Sequence, residues 1–162
     1  MIKGWTGKRL RIDLSLQKAW LEDISQEVLR QWFGGRGLNA SFFSTHFQFP
    51  VSPSSPENPI AFAVGPLTGT LAPCSGWTSI ASFSPLSAPP VYGFTWMPGY
   101  FGASLKGVGV DQCILQGKAD RPIYLWIDDG EVRFEEAGHL WGKETIETTI
   151  TIQEEKEDRG IE

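Results

Sequence analysis

The chain has 162 residues, of which 41% are hydrophobic and 20% are charged, and its formal net charge is −5. These values are typical of one folded domain and exclude wholesale disorder. The negative charge argues against nucleic acid as the main partner, because phosphate backbones are bound by basic surfaces.

Signals for a membrane or for export are missing from the sequence. No apolar run reaches the roughly 18 residues that a membrane span needs, and the first residues lack the apolar middle of a signal peptide. Cys74 and Cys113 are the only cysteines, which is too few for a disulfide framework or for the usual four ligands of an iron–sulfur cluster. We therefore expect a reducing cytoplasm, and we interpret the glycosylation sequon at Asn39 as a chance match.

A β-hairpin is predicted at the start of the chain. Residues 8–14 alternate apolar and polar side chains, which is typical of a half-buried strand. Residues 18–22 are the predicted partner strand, and Trp20 is expected on the same face as Leu10 and Ile12.

Two helices are predicted next. Ser25 is a suitable N-cap for a helix that runs to about Phe33, and Gly34 with Gly35 is a suitable stop. Arg36 opens a second helical pattern. Arg36 is flanked by glycines in the sequence, and its side chain either pairs with a local carboxylate or binds an anion.

The rest of the sequence predicts short strands between proline- and glycine-rich turns. Residues 49–59 read as a surface connector, and residues 60–64 as a strand buried on both faces. Residues 144–155 favour helix and strand about equally, because acidic helix formers adjoin a β-branched run. Asp129 and Gly130 fit a tight hairpin turn. The remaining predicted elements are strands at 77–83, 91–96, 113–116, 122–128 and 131–135, and a short helix at 100–106.

Glycine is concentrated between residues 65 and 109, which hold eight of the chain's 18 glycines. A folded chain keeps glycine where the backbone bends unusually or approaches another group closely. Such loops either form plain turns between strands or press backbone N–H groups against an anion or a flat cofactor. The residue types alone leave both interpretations open.

Catalytic motifs are not found. His46 and His139 lie in separate segments, where surface or packing roles are expected of them. Zinc motifs, the nucleophile elbow and the common nucleotide-binding fingerprints are absent. The sequence therefore predicts no catalytic residue and no protein-built metal site.

Several motifs, in the same order over nearly the whole chain, resemble the N-terminal domain of tungsten-containing aldehyde ferredoxin oxidoreductases. The motifs are Gly34-Gly35-Arg36-Gly37-Leu38, the run from Ser55 to Pro73, Ser84-Pro85-Leu86, Gly99-Tyr100-Phe101-Gly102-Ala103 with Leu105-Lys106, Gly117-Lys118-Ala119 with Pro122-Ile123-Tyr124, and His139-Leu140-Trp141-Gly142.

The resemblance implies an α+β fold of two packed, mainly antiparallel β-sheets with a few short helices. We expect this fold over residues 1–153, with residues 154–162 as a charged, frayed tail. In that family the domain is the base on which a flat bis-pterin tungsten cofactor lies. The cofactor carries the redox chemistry, while the protein positions it. Later domains bear the iron–sulfur cluster and pass electrons to ferredoxin.

By resemblance, one set of residues is expected to contact the cofactor. These residues are Thr68, Gly69, Gly76, Trp77, Trp96, Gly99, Tyr100 and Gly102.

Three departures from the family pattern are visible. Relatives usually carry arginine where this chain has Trp77, which removes a bidentate phosphate donor. They usually carry asparagine before the second glycine run, where this chain has Trp96, Met97 and Pro98, which removes a ligand for a bridging magnesium ion. Relatives also continue beyond the position of Glu162 into the cluster domains. We therefore expect the chain not to oxidise aldehydes unaided.

Two functional interpretations follow. In the first, the chain is a tungsto- or molybdopterin-binding domain, either a fragment or a small subunit that needs cluster-bearing partners. In the second, it is a structural or interaction module that keeps the fold, has lost the cofactor and buries Trp77 and Trp96 in a homo-oligomer or another complex.

Overall fold

The computed structural model describes residues 4–48, 51–128, 130–158 and 160. It contains two compact units, residues 1–118 and 119–162. Each unit has its own sheet, so the predicted α+β class with two sheets is confirmed. Among the described strands the only parallel pair is Lys8–Asp13 with Gln112–Gln116, so the predicted, mainly antiparallel character is confirmed.

The first unit is built on a six-stranded sheet with three helices. Its strand order is β2-β1-β6-β3-β4-β5. In chain order the elements are β1 (Lys8–Asp13), β2 (Lys18–Asp23), α1 (Gln26–Trp32), α2 (Gly35–His46), β3 (Ile60–Ala63), β4 (Thr78–Ser84), β5 (Val91–Met97), α3 (Phe101–Gly107) and β6 (Gln112–Gln116).

The second unit is a hairpin followed by a 3-10 turn and a helix. Its elements are β7 (Ile123–Asp128), β8 (Glu131–Glu136), the turn at Gly138–Leu140 and α4 (Thr145–Glu155). Gly130 has a φ of +82°, whereas Asp129, its predicted partner in the turn, lies outside the described residues. Of the predicted surface connector, Phe49 and Pro50 also lie outside them.

Residues 144–155, which the sequence left open between helix and strand, form α4. The hydroxyls of Thr149 and Thr151 donate hydrogen bonds to the carbonyls of Thr145 and Glu147, at 3.0 and 2.8 Å. These bonds satisfy the threonine side chains within the helix. The helix continues to Glu155, so residues 154 and 155 of the predicted tail are helical.

The first hairpin forms in the predicted register, but the position of Trp20 was wrong. Trp20 pairs with Arg11, so it lies on the arginine face of the sheet and not with Leu10 and Ile12. The Arg11 guanidinium stacks over Trp20, with its carbon 5.6 Å from the ring centroid, and over Phe42 of α2, at 5.2 Å. Helix α2 thus covers the face that alternation alone would give to solvent.

Strand β3 is not buried equally on both faces, as the sequence predicted. Ala61 and Ala63 are fully buried and contribute to apolar clusters with α2. Ile60 and Phe62 point the other way, and Ile60 is 47% exposed. A continuous apolar run therefore does not distinguish one covered face from two.

A cluster of aromatic side chains holds α2 to the sheet. Phe43 contacts Phe83, with ring centroids 5.0 Å apart, and Tyr92, at 5.2 Å, both nearly edge-to-face. Phe42, Phe43 and Phe83 are buried almost completely. Aromatic pairs in this geometry add to the free energy gained by burying their area.

A buried polar network lies beside this cluster. The Asn39 side chain donates hydrogen bonds to the carbonyls of Ala61 (3.3 Å) and Ser79 (3.1 Å) and accepts one from Gln112 (2.8 Å). Gln112 in turn accepts a hydrogen bond from Arg9 at 2.7 Å. Because Asn39 is fully buried and its amide is engaged, the structure supports reading its sequon as a chance match.

Gly37 marks a close approach between the first two helices. A Cβ atom built on it would overlap the carbonyl oxygen of Trp32. We expect Gly37→Ala to lower the free energy of unfolding by about 1–3 kcal/mol, the usual cost of overpacking. Urea denaturation would measure this. Gly107→Ala is the control, because a Cβ there meets open space at an unstrained φ; a similar loss in both variants would contradict the steric account.

Candidate functional site

A cleft of about 470 Å³ opens in the first unit, beside the N-terminus of α2. Three short segments and two tryptophans line it. They are residues 33–37, residues 65–68, residues 73–75, Trp77 and Trp96.

The first segment owes its shape to backbone conformations that favour glycine. Helix α1 ends where Phe33 turns to a φ of +66°, and Gly34 follows at +146°. A Cβ on Gly34 would lie 2.8 Å from the carbonyl oxygen of Val64, too close for any other residue. The first helix therefore ends at Phe33 and Gly34, whereas Gly35, the other glycine of the predicted helix stop, is already the first residue of α2.

The second segment is a turn closed by its own polar groups. The Thr68 hydroxyl accepts a hydrogen bond from the Gly65 N–H at 3.1 Å, and the Thr68 N–H donates to the Gly65 carbonyl at 3.2 Å. In the third segment Cys74 has a φ of +60°, which is uncommon for a residue with a side chain.

Trp77 and Trp96 provide flat apolar surface at the cleft. Both side chains are 46% exposed, and a Cβ built on Gly35 would lie 3.8 Å from the Trp96 ring. Half-exposed tryptophan is suited to stacking on a planar ligand or to burial at an interface.

Arg36 brings a positive charge to the same cleft. Its guanidinium carbon lies 3.9 Å from the centroid of the Phe94 ring, a favourable cation–π distance. Burial raises the pKa of the nearby Tyr92 phenol, and the Arg36 charge acts in the opposite direction. Within the described part of the chain no carboxylate forms an ion pair with Arg36.

Three of the residues predicted to contact a cofactor line the cleft: Thr68, Trp77 and Trp96. The structure places the predicted glycines elsewhere around it. A Cβ on Gly76 would lie 3.0 Å from the carbonyl oxygen of Gly99, so these two glycines allow their loops to meet.

The other three predicted residues lie at α3. Gly102 is buried, and a Cβ on it would lie 2.6 Å from the Thr78 hydroxyl, so close packing alone accounts for glycine there. Gly69, with a φ of +78°, faces Ala103, and Tyr100 is exposed just before the helix. Their role toward a cofactor stays a prediction.

Residues 33–37 were not among the predicted cofactor contacts, although they form one side of the cleft. The signal that could have found them is the motif Gly34-Gly35-Arg36-Gly37, which places a cation among residues without side chains. In the sequence Gly34 and Gly35 were interpreted as a helix stop, and Arg36 was left open between a local ion pair and an anion. Only the packing of α2 on the sheet brings this motif opposite residues 65–68.

The described residues hold no group of three or more His, Cys, Asp or Glu side chains able to bind a metal ion. His46 stacks on Phe42, with ring centroids 4.4 Å apart, and His139 lies 2.7 Å from a Glu155 carboxylate oxygen. Both contacts are surface or packing contacts. Over the same described part of the chain, no helix has the length and apolar character that crossing a bilayer requires.

The two thiols are expected to differ in reactivity. Cys74 is exposed at the cleft, whereas Cys113 is buried, and burial raises the pKa of the Cys113 thiol to about 12. Since the thiolate is the reactive species, a thiol reagent near neutral pH should modify Cys74 in the native protein and Cys113 only after denaturation. Mass spectrometry of digested, labelled protein would show this. Rapid labelling of native Cys113 would contradict it.

Comparison with known proteins decides the family. Residues 9–161 match the family model described as aldehyde ferredoxin oxidoreductase, N-terminal domain. The chain belongs to the aldehyde ferredoxin oxidoreductase family. The resemblance read from the motifs is therefore confirmed, and the part of the family that it matches is the N-terminal domain.

Relatives within the family carry different names. A tungsten-containing aldehyde ferredoxin oxidoreductase from Pyrococcus furiosus is 39% identical over 96% of this chain and 25% of its own length. The aliphatic sulfonate oxidoreductase, WOR-like subunit, of the same organism is 34% identical over 94% of the chain and 24% of its own length. The chain thus spans about a quarter of these relatives.

A solved structure shares the fold. It is a chain of the active site complex BamBC of benzoyl coenzyme A reductase in complex with 1,5-dienoyl-CoA. It superimposes with a TM-score of 0.93 at 32% identity, over 99% of this chain and 24% of that chain. The fold expected from the resemblance is therefore confirmed by a family-related structure.

Proposed function

We propose that this chain is the cofactor-binding base of a tungsto- or molybdopterin oxidoreductase and acts together with cluster-bearing domains or subunits. The observation that carries the proposal is the cleft beside α2, in which glycine backbone, two tryptophans and one arginine converge. Membership of a family with tungsten-containing relatives supports it.

The residues present fit a flat, anionic pterin cofactor. Gly35 and Gly65 line the cleft without a side chain that would block close approach by a ligand. Trp77 and Trp96 offer planar faces for stacking, and Arg36 offers positive charge.

In this proposal the chain holds and orients the cofactor. Thr68, Trp77 and Trp96 contact it directly, Gly69, Gly76 and Gly99 shape the loops at its edge, and Gly102 lets α3 approach Thr68. Tyr100, which lies exposed immediately before α3, would add a further contact to the cofactor.

The bound group would supply the metal-centred oxidation of an aldehyde to a carboxylic acid. The chain's own residues would position that group and exclude water from one of its faces. An iron–sulfur cluster and ferredoxin enter through partner domains. The names of the relatives include aldehyde, sulfonate and benzoyl coenzyme A enzymes.

Metal and pterin analysis tests the proposal directly. The chain would be co-expressed with the cluster-bearing products of neighbouring genes, and the purified complex analysed for tungsten, molybdenum and released pterin. We expect metal and pterin to co-purify, and a Trp77→Ala/Trp96→Ala double variant to retain clearly less pterin.

Trp141→Ala is the matched control, because Trp141 is exposed and does not line the cleft. It should retain the wild-type pterin content. Absence of metal and pterin from a complex that contains the partner chains would overturn the proposal.

The second candidate is an interaction module without cofactor. The exposure of Trp77, Trp96 and Phe94 favours it, because exposed aromatic residues are enriched at interfaces. It predicts a homo-oligomer or a complex in which the indoles of Trp77 and Trp96 are protected from a soluble fluorescence quencher. Full quenching of Trp77 and Trp96 in every assembly state would exclude this second candidate.

A further inference from the structure

We propose that the Arg36 guanidinium is the anion-recognition group of the cleft and makes it selective for a planar heterocycle that carries a phosphate or diphosphate. This inference rests on the proposed function, since it names the charge and class of ligand for the same cleft. It adds a residue that the sequence did not assign to the cofactor.

The charge of the cleft is the first argument. Of the described residues that line it, Arg36 is the only charged one, although acidic residues outnumber basic ones in the whole chain by 19 to 14. A local positive charge in a net negative protein selects an anion at this place, because no carboxylate in the lining opposes it.

Among the described residues, Arg36 has no acidic partner. Arg9 and Arg11 of the first unit both pair with Glu22, at 3.3 and 3.6 Å. Arg36 instead rests on the Phe94 ring at 3.9 Å. Stacking on a ring fixes the plane of a guanidinium without using its N–H donors, which leaves them available to an oxyanion.

The surface around Arg36 is open and presents flat apolar rings. Gly35 and Gly37 flank Arg36 in the lining, and neither has a side chain to block access. Trp77 and Trp96 complete the same lining with planar apolar rings. A ligand that satisfies both features has a flat ring system and an anionic group.

Calorimetric titration of the 162-residue protein tests the inference with two defined probes, 6-hydroxymethylpterin, which is uncharged near neutral pH, and its diphosphate ester. A chelator would exclude metal bridging, and low ionic strength would limit screening. We expect the diphosphate to bind about tenfold more tightly than the uncharged pterin, as charge-assisted hydrogen bonds predict.

Variants assign that preference to Arg36. Arg36→Gln should reduce the tenfold difference to less than about threefold while the uncharged pterin binds as before. Arg36→Lys should restore only part of it, because an ammonium group lacks the planar fork. Arg30→Gln removes the same charge from an exposed position of α1 outside the cleft and should leave both affinities unchanged. Circular dichroism would verify that each variant is folded.

The outcomes separate this inference from the proposed function. If both pterins bind equally, or if Arg36→Gln keeps the diphosphate preference, Arg36 is not the anion-recognition group, whereas the cofactor-binding proposal stands. If neither pterin binds at millimolar concentrations, this inference fails, whereas the proposed function is decided by the metal and pterin content of the complex with the partner chains.

Discussion

Asp111→Asn should lower the free energy of unfolding by about 3–5 kcal/mol, the usual result of removing one partner of a buried ion pair. Asp111 is fully buried immediately before β6, and it accepts hydrogen bonds from the Lys106 ammonium and from the Gly7 N–H at 2.7 Å. Lys106 is itself largely buried. Without the carboxylate its charge would remain away from water with no counter-charge.

Urea denaturation followed by circular dichroism would measure this loss. Asp23→Asn is the matched control, because the Lys8–Asp23 pair is solvent-exposed and such pairs contribute about 0–1 kcal/mol. Adding Lys106→Met to Asp111→Asn should recover part of the stability, since no buried charge then lacks a partner. If Asp111→Asn and Asp23→Asn were equally stable, the buried Lys106–Asp111 pair would contribute no more to the free energy of unfolding than the exposed Lys8–Asp23 pair.

Phe43→Ala should destabilise the first unit by about 3–5 kcal/mol, as is typical of deleting a buried phenylalanine. The Phe43 ring is buried and contacts the rings of Phe42, Phe47, Phe83 and Tyr92. Truncation would leave a cavity between α2 and the sheet and remove all four ring contacts together.

Thermal and urea denaturation would measure the loss of stability of the Phe43→Ala variant. Phe43→Leu should lose less, because it keeps most of the apolar volume. Leu86→Ala serves as the control: Leu86 is 94% exposed, so its truncation should change stability by less than about 0.5 kcal/mol. A Phe43→Ala variant as stable as Leu86→Ala would mean that α2 is held by other contacts.

Local patterns in the sequence were sufficient for most elements of the fold. The alternation at Leu10 and Ile12, the N-cap at Ser25 and the hairpin of β7 and β8 depend on neighbours within a few residues. It was harder to predict from the sequence which face of the sheet a side chain occupies. Trp20 and β3 were misplaced because α2, which is distant in sequence, covers one side of the sheet.

The candidate site was partly accessible from the sequence. Thr68, Trp77 and Trp96 were predicted as contacts and do line one cleft, whereas their binding to a cofactor stays a proposal. Gly102 shows the limit of reading glycine as ligand-facing, since its neighbours Thr78 and Thr68 require a small residue for packing. Arg36 was noted as a possible anion-binding residue. Its contact with Phe94 and the absence of a carboxylate partner among the described residues favour that interpretation over a local ion pair.

The amino-acid sequence by itself determined the family and the class of fold, because the order of its motifs and the periods of its apolar residues are local and survive without coordinates. The tertiary structure alone decided which glycines face open space and which are packed. It also decided that Arg36 is the charged residue among the described residues that line the cleft. Those properties depend on residues far apart in the chain, such as Gly34 against Val64 or Arg36 over Phe94. Such distances are set by the packing of α2 on the sheet, which no short stretch of the sequence contains.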